Sequence, residues 1–376
     1  IEEVGNLCLA AVGICGPIVT LLSSFGTLVG IGGSIWLSMC LGQKNEKRAS
    51  QILYNSFVML VVLSLCLTLG FILLKHNLIY WFGGSDALYP YANTYLTIYT
   101  LGTFFALMSI GLNYFITGQG YATIAMLSVC IGAITNIIFD FILIRTLKIG
   151  VAGAAIGTVV AQFLSCMFVL CFLRFKSKIK LKKEDLSVDK MKYIVKLGFS
   201  PFLILASDSV ILIVMNMMLQ KYGGNMGDIY ISAITVAQSY FLLITGPLLG
   251  ISSGTQPIFA YHFGSQNLKK IKEAFKIVIS FAFLFCLVMF IISMCYSNVF
   301  VAMFTQDLTT MPIAQRAIKI FCLGILMMSI QYVLVDGITG LSNVKLSLFL
   351  SLNRKLMYLC CTCLLPVFLG VSNIFY

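Results

Sequence analysis

The chain has 376 residues, of which 60% are hydrophobic and 10% charged, and its mean hydropathy is +0.99. A soluble domain could not expose that much apolar surface, so the composition describes an all-α, multi-pass protein of the lipid bilayer. The net charge of +12 is spread over connecting segments rather than gathered into one basic face, which excludes nucleic acid as a partner.

Taken in chain order, apolar runs fall at 9–41, 52–74, 91–116, 123–145, 151–173, 197–220, 230–262, 274–299, 313–338 and 346–372, which predicts ten spanning helices. Transmembrane β-strands would instead alternate in polarity over roughly ten residues, a pattern not seen here. Between the fifth and sixth runs lies the longest charged stretch, RFKSKIKLKKEDLSVDKMKYIVK at 174–196. It reads as a basic cytoplasmic linker, partly an amphipathic helix on the membrane surface, between an N-lobe at 1–173 and a C-lobe at 197–376. Every second connecting segment belongs to a set holding 19 of the 25 basic residues, among them Lys44, Lys47, Arg48, Lys345, Arg354 and Lys355. The positive-inside rule puts that set in the cytoplasm, where it can also hold anionic lipid.

The chain resembles itself after a shift of 222 residues: Gly32, Gly42, Asn45 and Lys47 fall on Gly254, Gly264, Asn267 and Lys269, and Thr117-Gly118 falls on Thr339-Gly340. A single offset over more than 100 residues indicates duplication of a whole bundle, as in many transporters. Moved back by the same shift, the run at 197–220 lands before Ile1; moved forward, the run at 151–173 lands past Tyr376. The expectation is a design of twelve helices in two lobes, with the first and last outside this chain.

A carboxylate inside an apolar run costs roughly 2.5 to 3.5 kcal/mol on insertion scales and needs a reason. In TNIIFDFIL, Asn136 and Asp140 are four apart and share one helix face, where an amide and a carboxylate can coordinate a cation or hold a proton. Thr158, in the next helix, offers a further oxygen, and Gly150, Gly153 and Gly157 remove bulk so that the two helices can approach closely. A structural hydrogen-bond acceptor is the alternative role for Asp140. In the second lobe, Asp208 follows Pro201, whose broken helix would let it face a cavity. Asp336 reads as a solvated helix end, and Arg354 as a snorkelling side chain. The 13 cysteines have no metal-ligand spacing with His76 and His262 and read as packing residues. They imply no disulfides, which suits a bacterial inner membrane. The chain carries no GxxxxGK[ST] loop for ATP, and the glycines of GIGGS lie in apolar helices rather than after strands.

The segments LAAVGICGPI, GIGGSIWLSMCLGQKNEKRA, TNIIFDFILIRTLKIGVAGAAIGTVVAQ, GISSGTQPIFAYHFGSQN and SLNRK together resemble the multidrug and toxic compound extrusion (MATE) family along essentially the whole chain. The resemblance implies two pseudo-symmetric helical lobes, no cofactor, and export of drugs or organic cations in exchange for H+ or Na+. It implies a cation site at Asn136, Asp140 and Thr158, with no other metal, and a polar network that Asn113 and Tyr95 match less securely; a further site carboxylate is expected upstream of Ile1. The expected molecule is a monomeric antiporter, not an enzyme, working by alternating access, with Asp208 a cavity candidate. The alternatives are a lipid-linked oligosaccharide flippase, which needs cavity Arg or Lys residues to hold pyrophosphate, an integral membrane transferase, which needs acidic or histidine clusters, and a truncated inactive membrane protein.

Overall fold

Within hydrocarbon every backbone polar group must be paired inside its own segment, so apolar runs of this length fold as helices. The computed structural model describes residues 2–81, 86, 88–223, 227–304 and 310–369, and no strand occurs among them; the end of the last apolar run, 370–372, lies outside them. The helices are α1 (Glu2–Gly42), α2 (Glu46–Trp81), α3 (Tyr89–Leu101), α4 (Thr103–Gly118), α5 (Ala122–Asp140), α6 (Val151–Cys171), α7 (Val188–Gly223), α8 (Gly227–Gly264), α9 (Leu268–Phe304), α10 (Thr310–Leu323), α11 (Ile325–Gly340) and α12 (Val344–Leu369). Short π-helical turns, Phe141–Thr146 and Phe172–Lys176, extend α5 and α6.

Among the described residues, seven helices are long and apolar enough to cross a membrane, or nine spans if each of two bent pairs counts as one. The remaining apolar run, 197–220, lies within α7. The bent pairs were each expected as a single straight run. The third run bends by 55° between α3 and α4, and the ninth by 49° between α10 and α11. The hinge residues Gly102 and Gly324 are 222 positions apart, so the bend belongs to the repeat.

The chain divides into two compact units, Ile1–Ser209 and Val210–Tyr376, and the division falls inside α7. In the first unit α1 packs on α2, α3 and α4, α2 on α3 and α4, and α4 on α5; in the second, α8 packs on α9, α10 and α11, α9 on α10 and α11, and α11 on α12. These are the same pairings after the 222-residue shift. Helix ends repeat as well. Lys44 and Gln266 both turn left-handed (φ 59° and 56°) beyond Gly42 and Gly264. Asn45 and Asn267 then cap the next helix, their side chains accepting from the backbone N–H of Arg48 at 3.0 Å and of Lys270 at 3.1 Å.

Packing in lipid relies on close van der Waals fit and small residues. Gly32 and Gly198 bring the backbones of α1 and α7 together, and a side chain on either would strike backbone atoms of the other helix. Position 115 in the first unit and 337 in the second are equivalent, yet one is Phe and the other Gly. Phe115 fills the space over Gly33 of α1, whereas Gly337 leaves room for Phe275 of α9, whose ring centroid lies 4.3 Å from that of Phe259 in a tilted pair.

Of the linker at 174–196, expected to be partly helical, Val188 onward begins α7, which leaves 177–187 as a separate segment. It is irregular and strapped to the first unit by two amide side chains that each grip backbone. Gln119 accepts from the N–H of Ile179 at 2.7 Å and donates to its carbonyl at 3.3 Å. Asn55 accepts from Ser187 N–H at 2.9 Å and donates to Asp185 O at 3.0 Å. Alternate residues Ser177 and Ile179 are buried while Lys176, Lys178 and Lys180 stay exposed, and Lys178 pairs with Glu46 at 2.9 Å.

Candidate functional site

Asn136 and Asp140 lie one helical turn apart on α5, and Asp140 is its last α-helical residue before the chain widens into the π turn at Phe141–Thr146. Such bulges concentrate at functional positions because they re-aim neighbouring side chains. The chain then reverses at Gly150, whose φ of 68° suits glycine; no atom lies within 4 Å of where its side chain would be, so its role is the turn rather than the close approach expected of it. Gly153 and Gly157 do provide that approach. A side chain at Gly153 would meet Leu143, and one at Gly157 would meet the Asp140 carboxylate.

On α6, Thr158 donates its hydroxyl to Ala154 O at 2.9 Å and accepts from Asn136 Nδ2 at 3.4 Å. Asp140 Oδ1 is buried and accepts no hydrogen bond. A buried carboxylate oxygen without a donor is costly unless a cation or proton accompanies it. Tyr95, 8% exposed on α3, stacks on Tyr99 at 6.2 Å. A cavity of about 480 Å³ opens between α4, α5 and α6, with Asn136, Thr158, Asn113 and Gln162 among its lining. Of the expected residues, Asn136 and Thr158 are hydrogen-bonded to each other and line the cavity with Asn113, Asp140 lies one turn from Asn136 against Gly157, and Tyr95 is on α3.

Asp208 is not brought into that group. It is exposed on α7, which runs through Pro201 as one continuous helix rather than breaking there. Asp336 corrects a second expectation, because it is not a solvated helix end. It accepts from Gln256 Nε2 at 2.7 Å and from the Ser252 hydroxyl, both on α8. Arg354, expected to snorkel, lies over the ring of Tyr332 at 4.7 Å, one turn before Asp336.

A family model described as MatE matches residues 1–142 and 204–359. The chain belongs to the MATE family. Curated relatives include the multidrug export protein MepA of Staphylococcus haemolyticus, 27% identical over 332 residues, and that of Staphylococcus saprophyticus, 25% identical over 334; each alignment covers 86% of this chain and 71% of the relative. Among solved structures, a transporter of the MOP superfamily from Pyrococcus furiosus, described as having a binding pocket of reverse polarity, superposes with a TM-score of 0.93 at 22% identity, covering 100% of this chain and 84% of its own. An outward-facing multidrug resistance MATE transporter gives 0.91 at 22% identity, covering 98% and 83%. At that identity the likeness is one of fold. The chain is accordingly a multi-pass membrane protein.

In this MATE chain two features were missed from sequence. Gln162 sits one turn beyond Thr158 on the same face of α6, and that spacing could have found it. Ser252 and Gln256, also one turn apart, meet a carboxylate 80 residues or more away, and no local pattern signals that.

Proposed function

We propose that the chain is a secondary antiporter that exports lipophilic or cationic small molecules, acting as a monomer in the membrane in exchange for H+ or Na+. Asn136, Asp140 and Thr158 hold the coupling ion, with Tyr95 and Asn113 in the surrounding polar network. The observation that carries this reading is the Asp140 carboxylate, whose Oδ1 is buried without a donor, against the bare backbone of Gly157 and one turn from Asn136, which pairs with Thr158. Multidrug export by the MepA relatives supports the cargo, and the 222-residue duplication supports alternating access, since duplicated bundles are the usual framework for it. In that cycle an ion or proton entering at Asp140 stabilises the conformation that releases the drug, and the ion gradient resets the protein. Asp208 remains a substrate-cavity candidate outside this group. The cavity's described lining carries no Arg or Lys, which disfavours a flippase that must hold pyrophosphate.

The test is efflux by the full-length protein in proteoliposomes, with Na+ and pH gradients imposed separately. Asp140→Asn should abolish gradient-driven efflux while membrane insertion is unchanged. Undiminished efflux would reject the assignment.

A further inference from the structure

We infer that the strap at 177–187 and its two flanks form a docking face for anionic phospholipid, a negatively charged phosphate head carried on acyl chains. The inference is independent of the export reading above.

Three attachments fix the depth of this segment. Its start is tied to Leu173, the last residue of the apolar run 151–173, whose carbonyl accepts from the N–H of Leu181 at 2.8 Å and from the Ser177 hydroxyl at 3.0 Å. Gln119, three residues past the run 91–116, holds it at Ile179. Asn55, which lies inside the run 52–74, holds its end at Asp185 and Ser187. Apolar runs end where hydrocarbon ends, so a chain fastened to the ends of three of them passes through the headgroup layer.

What the segment presents there is cationic. Five of the eight residues from Lys176 to Lys183 are lysine and none is acidic. Lys178 is paired with Glu46, whereas Lys176, Lys180, Lys182 and Lys183 are exposed and form no ion pair among the described residues. Beyond them, Glu184 accepts from the Ser50 hydroxyl at 2.8 Å, while Asp185 and Asp189 are exposed. The stretch 174–190 still holds seven basic residues against three acidic ones, so the face stays positive.

The flanks are apolar. Phe175, Leu186 and Val188 are 68%, 57% and 66% exposed. A lipid answers both features at once, because its phosphate pairs with the ammonium groups while the apolar side chains enter the acyl boundary. An acidic protein offers the charge but would have to penetrate the headgroup layer to deliver it. The grips of Gln119 and Asn55 order the lysine-bearing backbone before any lipid arrives, so less entropy is lost on binding.

The experiment titrates the purified full-length chain in detergent with short-chain phosphatidylglycerol, and separately with phosphatidylcholine of the same chains. Binding is read from the concentration dependence of the melting temperature. Phosphatidylglycerol should bind at least about tenfold more tightly, since each lysine near an anionic surface is worth about a fivefold gain. Lys176→Gln, Lys180→Gln, Lys182→Gln and Lys183→Gln together should remove most of that difference, whereas Lys269→Gln with Lys272→Gln, in the second unit, should leave it. Free glycerol phosphate should not compete, because it lacks the chains that Phe175, Leu186 and Val188 receive. Equal binding of the two lipids would overturn the inference, as would equal loss in both sets of variants or competition by glycerol phosphate. Polyglutamate binding more tightly than phosphatidylglycerol would overturn it in favour of an acidic protein partner. The comparison of lipids on the unmodified chain needs no variant to fold.

Discussion

Gln256 and Asp336 meet across the α8–α11 interface with Nε2 and Oδ1 2.7 Å apart, and 222 residues earlier Ser34 and Tyr114 meet across α1–α4, Oγ donating to the main-chain carbonyl at 2.6 Å. The two contacts occupy the same place in the repeat. Each pins the first helix of its repeat, α1 or α8, to the second helix of a bent pair, α4 or α11. In the second unit the acceptor is a carboxylate in a low-dielectric setting, where losing a donor leaves charge or lone pairs unpaired.

Gln256→Leu should therefore destabilise the folded protein by about 1–3 kcal/mol. Thermal unfolding in detergent checks this. Adding Asp336→Leu to Gln256→Leu should recover part of the loss, because the orphaned carboxylate goes with it, and the two substitutions should be non-additive. Additive losses would mean that the pair is not coupled.

Gly157→Ala puts a methyl group where the Asp140 carboxylate lies. The carboxylate is the free end of a side chain and can swing away, so stability should change little. The ion site should not survive the displacement. Ion-driven efflux should fall severalfold while the melting temperature stays close to that of the wild type; a large melting loss with normal efflux would contradict the reading.

Gly198→Ala behaves differently, because the added carbon meets the Leu28 backbone rather than a movable side chain. Helix α7 must then back away from α1. The expected outcome is a fall of about 1–3 kcal/mol in stability, the usual cost of overpacking, or loss of folded yield. Gly16→Ala, with nothing within 4 Å, is the control and should be neutral.

The strap at 177–187 yields a proteolysis prediction. Asn55 is fully buried and satisfies both Asp185 O and Ser187 N–H, so Asn55→Ala should free this stretch. Trypsin cleavage at Lys180, Lys182 or Lys183 should accelerate in Asn55→Ala and in Gln119→Ala, while cleavage at Lys269 and Lys270, remote in the second unit, should not. Equal acceleration at both places would indicate general loosening.

Much of the fold was legible because the repeat and the apolar runs are written in residue type. The turns after Gly42 and Gly264 follow from glycine, a polar segment and an asparagine cap three residues on. The bends at Gly102 and Gly324 were not legible, since a glycine inside a continuous apolar run serves equally well as a packing residue. Asp140 stood out because carboxylates are costly in lipid, and its partners Asn136 and Thr158 were within reach of helical spacing. Asp336 was misread because its nearness to a helix end is the same whether it is hydrated or held by Ser252 and Gln256. Which part of the 174–196 linker is helical was not legible from its charge density, although the alternation of Lys176, Ser177, Lys178, Ile179 and Lys180 has the period of extended chain.

The Ser34–Tyr114 contact has an evolutionary side. Its acceptor is a main-chain carbonyl, which every amino acid possesses, so position 114 can change without loosening the helix pair. In the second half the acceptor is the side chain of Asp336, and that position is bound to its identity. Tyr114 also lines the cavity between α4, α5 and α6, so the two halves use this position of the repeat differently. In one half the fastening is indifferent to residue type, and in the other the residue itself makes it.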